Sequence, residues 1–166
     1  NLERFEEALK ANDEAIKIEP NNIFSWINKA DVLVKLGRVE EAIDAYNKAI
    51  KIDPKNYEAW TNKADTLVNM GKNDEAIKAY DRAIQIQPKN FESWYNKGLL
   101  LSALGKFEEA LEVYEKSIEL NPKNSFAWNN KGHALLELGN FEESLAYFNK
   151  VIEIDPNNYD AWTDKA

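Results

Sequence analysis

Residues 23–56 read IFSWINKADVLVKLGRVEEAIDAYNKAIKIDPKN, a template that the rest of the chain copies. Within it Trp26, Ala30, Leu33 and Leu36 recur at helical spacing and stop before Gly37, so the spacing predicts a first helix, here called helix A. A glycine just past the last apolar residue suits a left-handed C-terminal cap. A second pattern at Ala42, Ile43, Tyr46, Ala49, Ile50 and Ile52 predicts helix B, which Pro54 ends. Glu40 and Glu41 fall early in helix B and Lys48 and Lys51 late, matching the helix dipole. Asn56 precedes the next helix A by one residue, where its side chain can accept a backbone N–H, and an asparagine is expected to cap the helix at every such junction.

Four landmarks of this template recur with one common step of 34 residues. They are Pro20, Pro54, Pro88, Pro122 and Pro156; Trp26, Trp60, Trp94, Trp128 and Trp162; Gly37, Gly71, Gly105 and Gly139; and Asn22, Asn56, Asn90, Asn124 and Asn158. The predicted organisation is one array over 1–166. A lone helix B spans 1–22, complete repeats span 23–56, 57–90, 91–124 and 125–158, and a further helix A starts at 159–166. Such an array has no single central core, because each repeat packs on its neighbours and stability sums over repeats and interfaces. Because the chain starts at Asn1 and stops at Ala166 inside repeats, it is expected to be a piece of a longer protein.

Composition narrows the chemistry. The 166 residues are 44% hydrophobic and 30% charged, the balance of an ordinary globular chain. A formal net charge of -8, with 21 basic residues spread along the repeats, argues against nucleic-acid binding, which needs clustered Lys and Arg. Without cysteine there is neither a disulfide nor a thiolate metal site, which fits a reducing compartment. No apolar run approaches the roughly 20 residues that cross a bilayer. No signal peptide appears either, and a cytoplasmic location away from the membrane is expected.

His133 is the only histidine and has no partner in the pattern for a zinc site or a nucleophile–base pair. The paired acids Glu40–Glu41, Glu108–Glu109 and Glu142–Glu143 recur at helix B starts, where dipole compensation explains them better than acid–base catalysis. The glycines are singletons at turns and helix crossings, so no phosphate loop or dinucleotide fingerprint is present. Neither an enzyme activity nor a cofactor is expected.

With these landmarks the chain resembles tetratricopeptide repeats over its full length, a family whose motif runs W-x2-L-G-x2-Y, then A, F, A and P. The family's small crossing residue is matched by Ala30, Ala64, Gly98 and Gly132, its helix B alanine by Ala42, Ala76 and Ala110 with Ser144 in the fourth repeat, and its helix B aromatic by Tyr46, Tyr80, Tyr114 and Phe148. The resemblance implies an all-α, right-handed superhelical solenoid of antiparallel helix pairs that binds a protein or peptide in a concave groove. One departure stands out: Lys29, Lys63, Lys97, Lys131 and Lys165 replace the motif's leucine on the apolar side of helix A. Each stem is expected to pack against the core while its ammonium snorkels out to a carboxylate.

In this family the helix A face opposite the packed side lines the groove, and here it collects the second, fifth, ninth, twelfth and thirteenth residues of each repeat. It holds Phe24, Ile27, Asp31, Val34 and Lys35, then Glu58, Thr61, Asp65, Val68 and Asn69. The third and fourth repeats contribute Glu92, Tyr95, Leu99, Ser102 and Ala103, then Phe126, Asn129, His133, Leu136 and Glu137. These positions vary while the scaffold stays constant, as a recognition surface requires. Beside them stand Asn28, Asn62, Asn96 and Asn130, with Asp164 in phase. Primary amides both donate and accept, so this ladder can hold an extended peptide backbone or bond to the neighbouring helix.

Some relatives bind the acidic C-termini of heat-shock chaperones through a clamp of groove lysines, an arginine and asparagines. That clamp is not matched: Ile27 and Glu92 stand where clamp lysines would, and the groove acids outnumber Lys35. The expected ligand is a peptide with Lys or Arg and apolar anchors that Phe24, Tyr95 and Phe126 receive. Two other roles stay open at this level. One is head-to-tail self-stacking through the lone helix B, with Ala8, Leu9, Ala15 and Ile16, and the fragment bearing Trp162. The other is a targeting arm of a larger enzyme such as a glycosyltransferase.

Overall fold

The computed structural model describes residues 2–165; the first and last residues of the expected array, Asn1 and Ala166, lie outside the described residues. Ten helices are described: α1 (Leu2–Ile18), α2 (Ile23–Lys35), α3 (Val39–Ile52), α4 (Tyr57–Asn69), α5 (Asn73–Ile86), α6 (Phe91–Ala103), α7 (Phe107–Leu120), α8 (Ser125–Glu137), α9 (Phe141–Ile154) and α10 (Tyr159–Asp164). There is no strand among the described residues. The fold is all-α, and each 34-residue stretch from residue 23 to 158 carries one helix A and one helix B. None of these helices is long and apolar enough to cross a membrane.

Contacts divide the chain into two compact bodies, Asn1–Gln87 and Pro88–Ala166. In the first, α2 packs on α3 and α4 on α5, while α1 covers α2 and α3 covers α4. In the second, α6 packs on α7 and α8 on α9, with α7 against α8 and α10 against α9.

Small residues let each pair close. Ala30, Ala42, Ala64 and Ala76 are fully buried, and the rings of Tyr46 and Tyr80 fill the space beside them at 2% exposure. In the second body the small residue is glycine: a Cβ at Gly98 would stand 2.5 Å from the Tyr114 ring, and one at Gly132 2.7 Å from that of Phe148. Ser144, which stands where the other repeats have alanine, is buried with its hydroxyl donating to the Gly132 carbonyl at 2.8 Å, so the extra polar atom is satisfied.

The turns follow the capping rules, with one correction. Gly71 has φ +70°, and Lys72 N donates across it to the Leu67 carbonyl at 2.9 Å, the six-to-one bond of a Schellman cap. Asn22, Asn56, Asn90 and Asn158 each accept the backbone N–H three residues on, at 3.2, 2.8, 2.8 and 2.9 Å. Asn124 does not: there Ala127 N donates instead to the main-chain carbonyl of Asn124 at 3.1 Å, so the cap expected at every junction is absent from α8.

One device links two landmarks that the sequence only showed to be in phase. Each indole N–H donates to the proline carbonyl six residues earlier: Trp26 to Pro20, Trp60 to Pro54, Trp94 to Pro88, Trp128 to Pro122 and Trp162 to Pro156, at 2.9 to 3.1 Å. The bond folds the turn back onto the first turn of the following helix A and gives the proline carbonyl a partner that the ended helix B cannot supply.

Candidate functional site

The helix A face of the first body carries an open cleft of about 320 Å³, lined by Asp31, Val34, Lys35, Asn62, Asp65, Thr66 and Asn69 with Tyr46 beneath. Two acids organise it. The Tyr46 hydroxyl of α3 donates to Asp31 Oδ1 of α2, and the Tyr80 hydroxyl of α5 donates to Asp65 Oδ1 of α4. Asn62 Nδ2 donates to the same Asp31 oxygen at 3.2 Å, tying helix A of one repeat to helix A of the one before. Burial first, and then the adjacent carboxylate, push both phenols far above their ordinary range, so they stay protonated as donors. Both bonds to Asp31 end on Oδ1, which leaves Oδ2 without a hydrogen-bond partner among the described residues.

Other residues expected on this face divide by depth. Phe24 is 64% exposed, and Asn28 and Glu58 are exposed with it. Ile27 and Thr61, at the fifth position, require a correction. Ile27 is 3% exposed and belongs to the core cluster with Leu9, Ala30 and Leu33, and Thr61 is 9% exposed with its hydroxyl donating to the Tyr57 carbonyl at 3.0 Å. The packed stripe of helix A is wider than the helical wheel assigns, and it takes in this position.

In the second body the same face is chemically different. Phe126 is 67% exposed and Leu99 38%, with Glu92 exposed on the first turn of α6. Leucine at the ninth position offers Tyr114 no carboxylate, and its hydroxyl pairs with Ser102 Oγ at 3.1 Å. Burial raises the Tyr114 phenol to about 12, against a lowering from Ser102. Tyr95 is half-buried, its ring 6.2 Å from that of Tyr114, and its hydroxyl accepts from Asn130 Nδ2 at 3.1 Å. Burial also raises the Tyr95 phenol, opposed by that amide. The Asn130 amide donates to the Phe126 carbonyl as well, at 2.9 Å. Asn96 and Asn129 are half-buried, and Asn129 Oδ1 is buried without a hydrogen bond among the described residues. His133 lies edge-on to Phe148 with ring centroids 5.3 Å apart, and its Nε2 is 2.8 Å from Asp164 Oδ2, close but out of hydrogen-bond alignment.

The asparagine ladder is thus used internally at Asn62 and Asn130. Tyr46 and Thr66 are cleft residues outside the expected face: Tyr46 comes from helix B, and Thr66 stands at the tenth position of its helix A, beside the ninth position that the face includes. A signal for the tyrosines existed in the 15-residue interval from Asp31 to Tyr46, repeated from Asp65 to Tyr80.

The lysines of helix A differ in whether a carboxylate meets them. Lys29 Nζ reaches Asp13 at 2.6 Å and Lys131 Nζ reaches Glu115, each sixteen residues earlier on the preceding helix B. Lys131 is 7% exposed: burial lowers its pKa, and Glu115 with Tyr147 more than offsets this, for a net rise. Asn47 and Asn149 stand sixteen residues before Lys63 and Lys165. Those two ammoniums lie over the rings of Trp60 and Trp162, each 5.4 Å from the centroid. Burial lowers the pKa of Lys63, with only a distant Glu75 opposing it. Among the described residues the expected carboxylate is therefore met at Lys29 and Lys131 and not at Lys63 or Lys165; the ring contact accompanies both outcomes, since Lys29 Nζ also lies over the Trp26 ring, 5.6 Å from its centroid.

A stack of helix pairs that keeps its packed positions constant and varies one exposed face is a protein-interaction scaffold. The chain belongs to the tetratricopeptide repeat family: a tetratricopeptide repeat model matches residues 61–125 and 95–159, a TPR repeat model residues 30–71, and another tetratricopeptide repeat model residues 11–44. Among solved structures it is similar to MamA, at 26% identity and a TM-score of 0.86 over 94% of this chain and 91% of that one. It is also similar to YrrB, described as a TPR protein with an unusual peptide-binding site, at 26% identity and 0.81 over 95% and 81%. A tetratricopeptide repeat protein from Parabacteroides merdae shares the fold at 24% identity and 0.84, over 97% and 64%. No curated protein matches the chain.

Proposed function

We propose that this scaffold binds a basic peptide segment on the helix A face of its first body, without catalysis. The observation that carries the reading is the cleft whose two carboxylates, Asp31 and Asp65, are each held by a tyrosine hydroxyl, with Lys35 the one lining cation. A carboxylate fixed by a buried donor is pre-organised, so a guanidinium or ammonium meets it with little ordering cost. Phe24, 64% exposed on α2, offers an apolar anchor. In the second body Phe126 and Leu99 offer an apolar surface for other residues of a partner. The similarity to YrrB supports a peptide ligand. The acidic lining disfavours acidic chaperone tails here.

Calorimetry with a peptide of alternating arginine and leucine tests this against the double variant Asp31→Asn with Asp65→Asn. Asparagine keeps an acceptor for each tyrosine and removes the charge. Binding that weakens about tenfold in the variant, and weakens with salt in the intact protein, is expected. Equal binding by both proteins, each folded by circular dichroism, overturns the reading.

A further inference from the structure

A second cleft of about 590 Å³ opens on the first body away from the acidic one, at the turn between α1 and α2 and the end of α3, lined by Pro20, Asn21, Trp26, Lys48, Lys51 and Ile52. Every charged side chain lining it is a lysine. Lys48 and Lys51 are exposed, and neither has an ion-pair or hydrogen-bond partner among the described residues. Asp44, one turn before Lys48, makes no ion pair with it, and Asp53 just beyond the helix accepts from Lys55 N at 2.9 Å. The indole N–H of Trp26 is already committed to the Pro20 carbonyl, so the ring offers a fixed apolar wall beside Ile52.

In the corresponding places of the other repeats one cation at most remains, and it is hydrogen-bonded or ion-paired. The two lysines are replaced by Arg82 and Gln85, bonded at 3.0 Å, then by the ion pairs Lys116–Glu119 and Lys150–Glu153, both at 2.7 Å. The tryptophan and proline remain in all of them, so scaffold packing does not account for the two free cations of the first repeat.

We infer that this cleft is a second docking site, of opposite charge to the first, for an acidic peptide segment of a partner protein. Two carboxylates of the segment lie on Lys48 and Lys51, and an apolar residue between them lies against Trp26 and Ile52. Charge complementarity carries the choice of occupant: in a chain of net charge -8, a cleft whose charged lining is wholly cationic selects acids. Its volume falls within the range of roughly 300–1,000 Å³ typical of ligand pockets.

The test is titration of the ¹⁵N-labelled protein with an acetylated Glu-Leu-Glu-Leu-Glu peptide, following the five indole N–H signals assigned by Trp→Phe variants. A saturable, salt-sensitive shift of the Trp26 signal is expected, with about tenfold weaker binding in Lys48→Gln with Lys51→Gln. Glu119→Lys is expected to make the Trp94 signal respond as well. The Asp31→Asn, Asp65→Asn variant is expected to bind this peptide no less well, which separates failure of this site from failure of the acidic cleft. The proposal is overturned if no signal saturates, if all five indoles shift alike, if the lysine variant binds equally, or if inorganic phosphate alone reproduces the shift at the same concentration.

Discussion

Each helix A sets a lysine beside packed apolar residues, and what the chain places sixteen residues earlier determines how that charge is met. Asp13 and Glu115 meet Lys29 and Lys131, whereas Asn47 leaves Lys63 to the Trp60 ring and to a pKa lowered by burial. Asn47→Asp is therefore expected to raise stability by about 0.5–1 kcal/mol, read as a higher urea midpoint with an unchanged m-value. The small crossing residue gives a second prediction at this scale. Because a Cβ at Gly98 would lie 2.5 Å from the rigid Tyr114 ring, Gly98→Ala is expected to cost about 1–3 kcal/mol despite the better helix propensity of alanine. Ala30 and Ala64 hold the same position in the first two repeats, where both are fully buried. The sequence showed lysines on the apolar side; it did not show where their heads went, because a partner on another helix is a distance that a wheel of one helix does not contain.

Elements were the most legible level. Apolar spacing, glycine and proline placed the helix pairs, since those signals act within a few residues of the backbone that they shape. The caps were legible as residue types and less so as bonds. Asn56 and Asn124 occupy the same repeat position, yet only Asn56 accepts the backbone N–H of the third residue on. Asn56→Ala is thus expected to cost about 1 kcal/mol in chemical denaturation, and Asn124→Ala close to nothing. The recognition face was read least well. Ile27 and Thr61 are packed, and the tyrosine hydroxyls that fix Asp31 and Asp65 arrive from helix B. Alternation along one helix gives direction; depth depends on the helix laid beside it.

Across the whole molecule, stability comes as a sum over like helix pairs, so a group repeated in phase acts repeatedly. The helix B tyrosines are such a group. Tyr46, Tyr80 and Tyr114 all have pKa values raised by burial in the folded state, while an unfolded tyrosine titrates near 10. The native state therefore holds protons that the unfolded chain releases. The contribution is fully present below about pH 10 and is lost as pH rises through the folded values. Unfolding free energy is expected to fall progressively from about pH 10 upward, with a shallower fall in Tyr46→Phe with Tyr80→Phe, as measured by guanidinium titration at each pH.

The bond from each indole to the proline carbonyl six residues back also divides the molecule into separately observable joints. An indole proton locked in such a bond exchanges with heavy water only when its own turn opens. With one tryptophan at each of five turns, the decay of five resolved signals would time the opening of five places along the chain in a single experiment. A ligand that clamps one turn would slow one decay and leave the others as its internal clock.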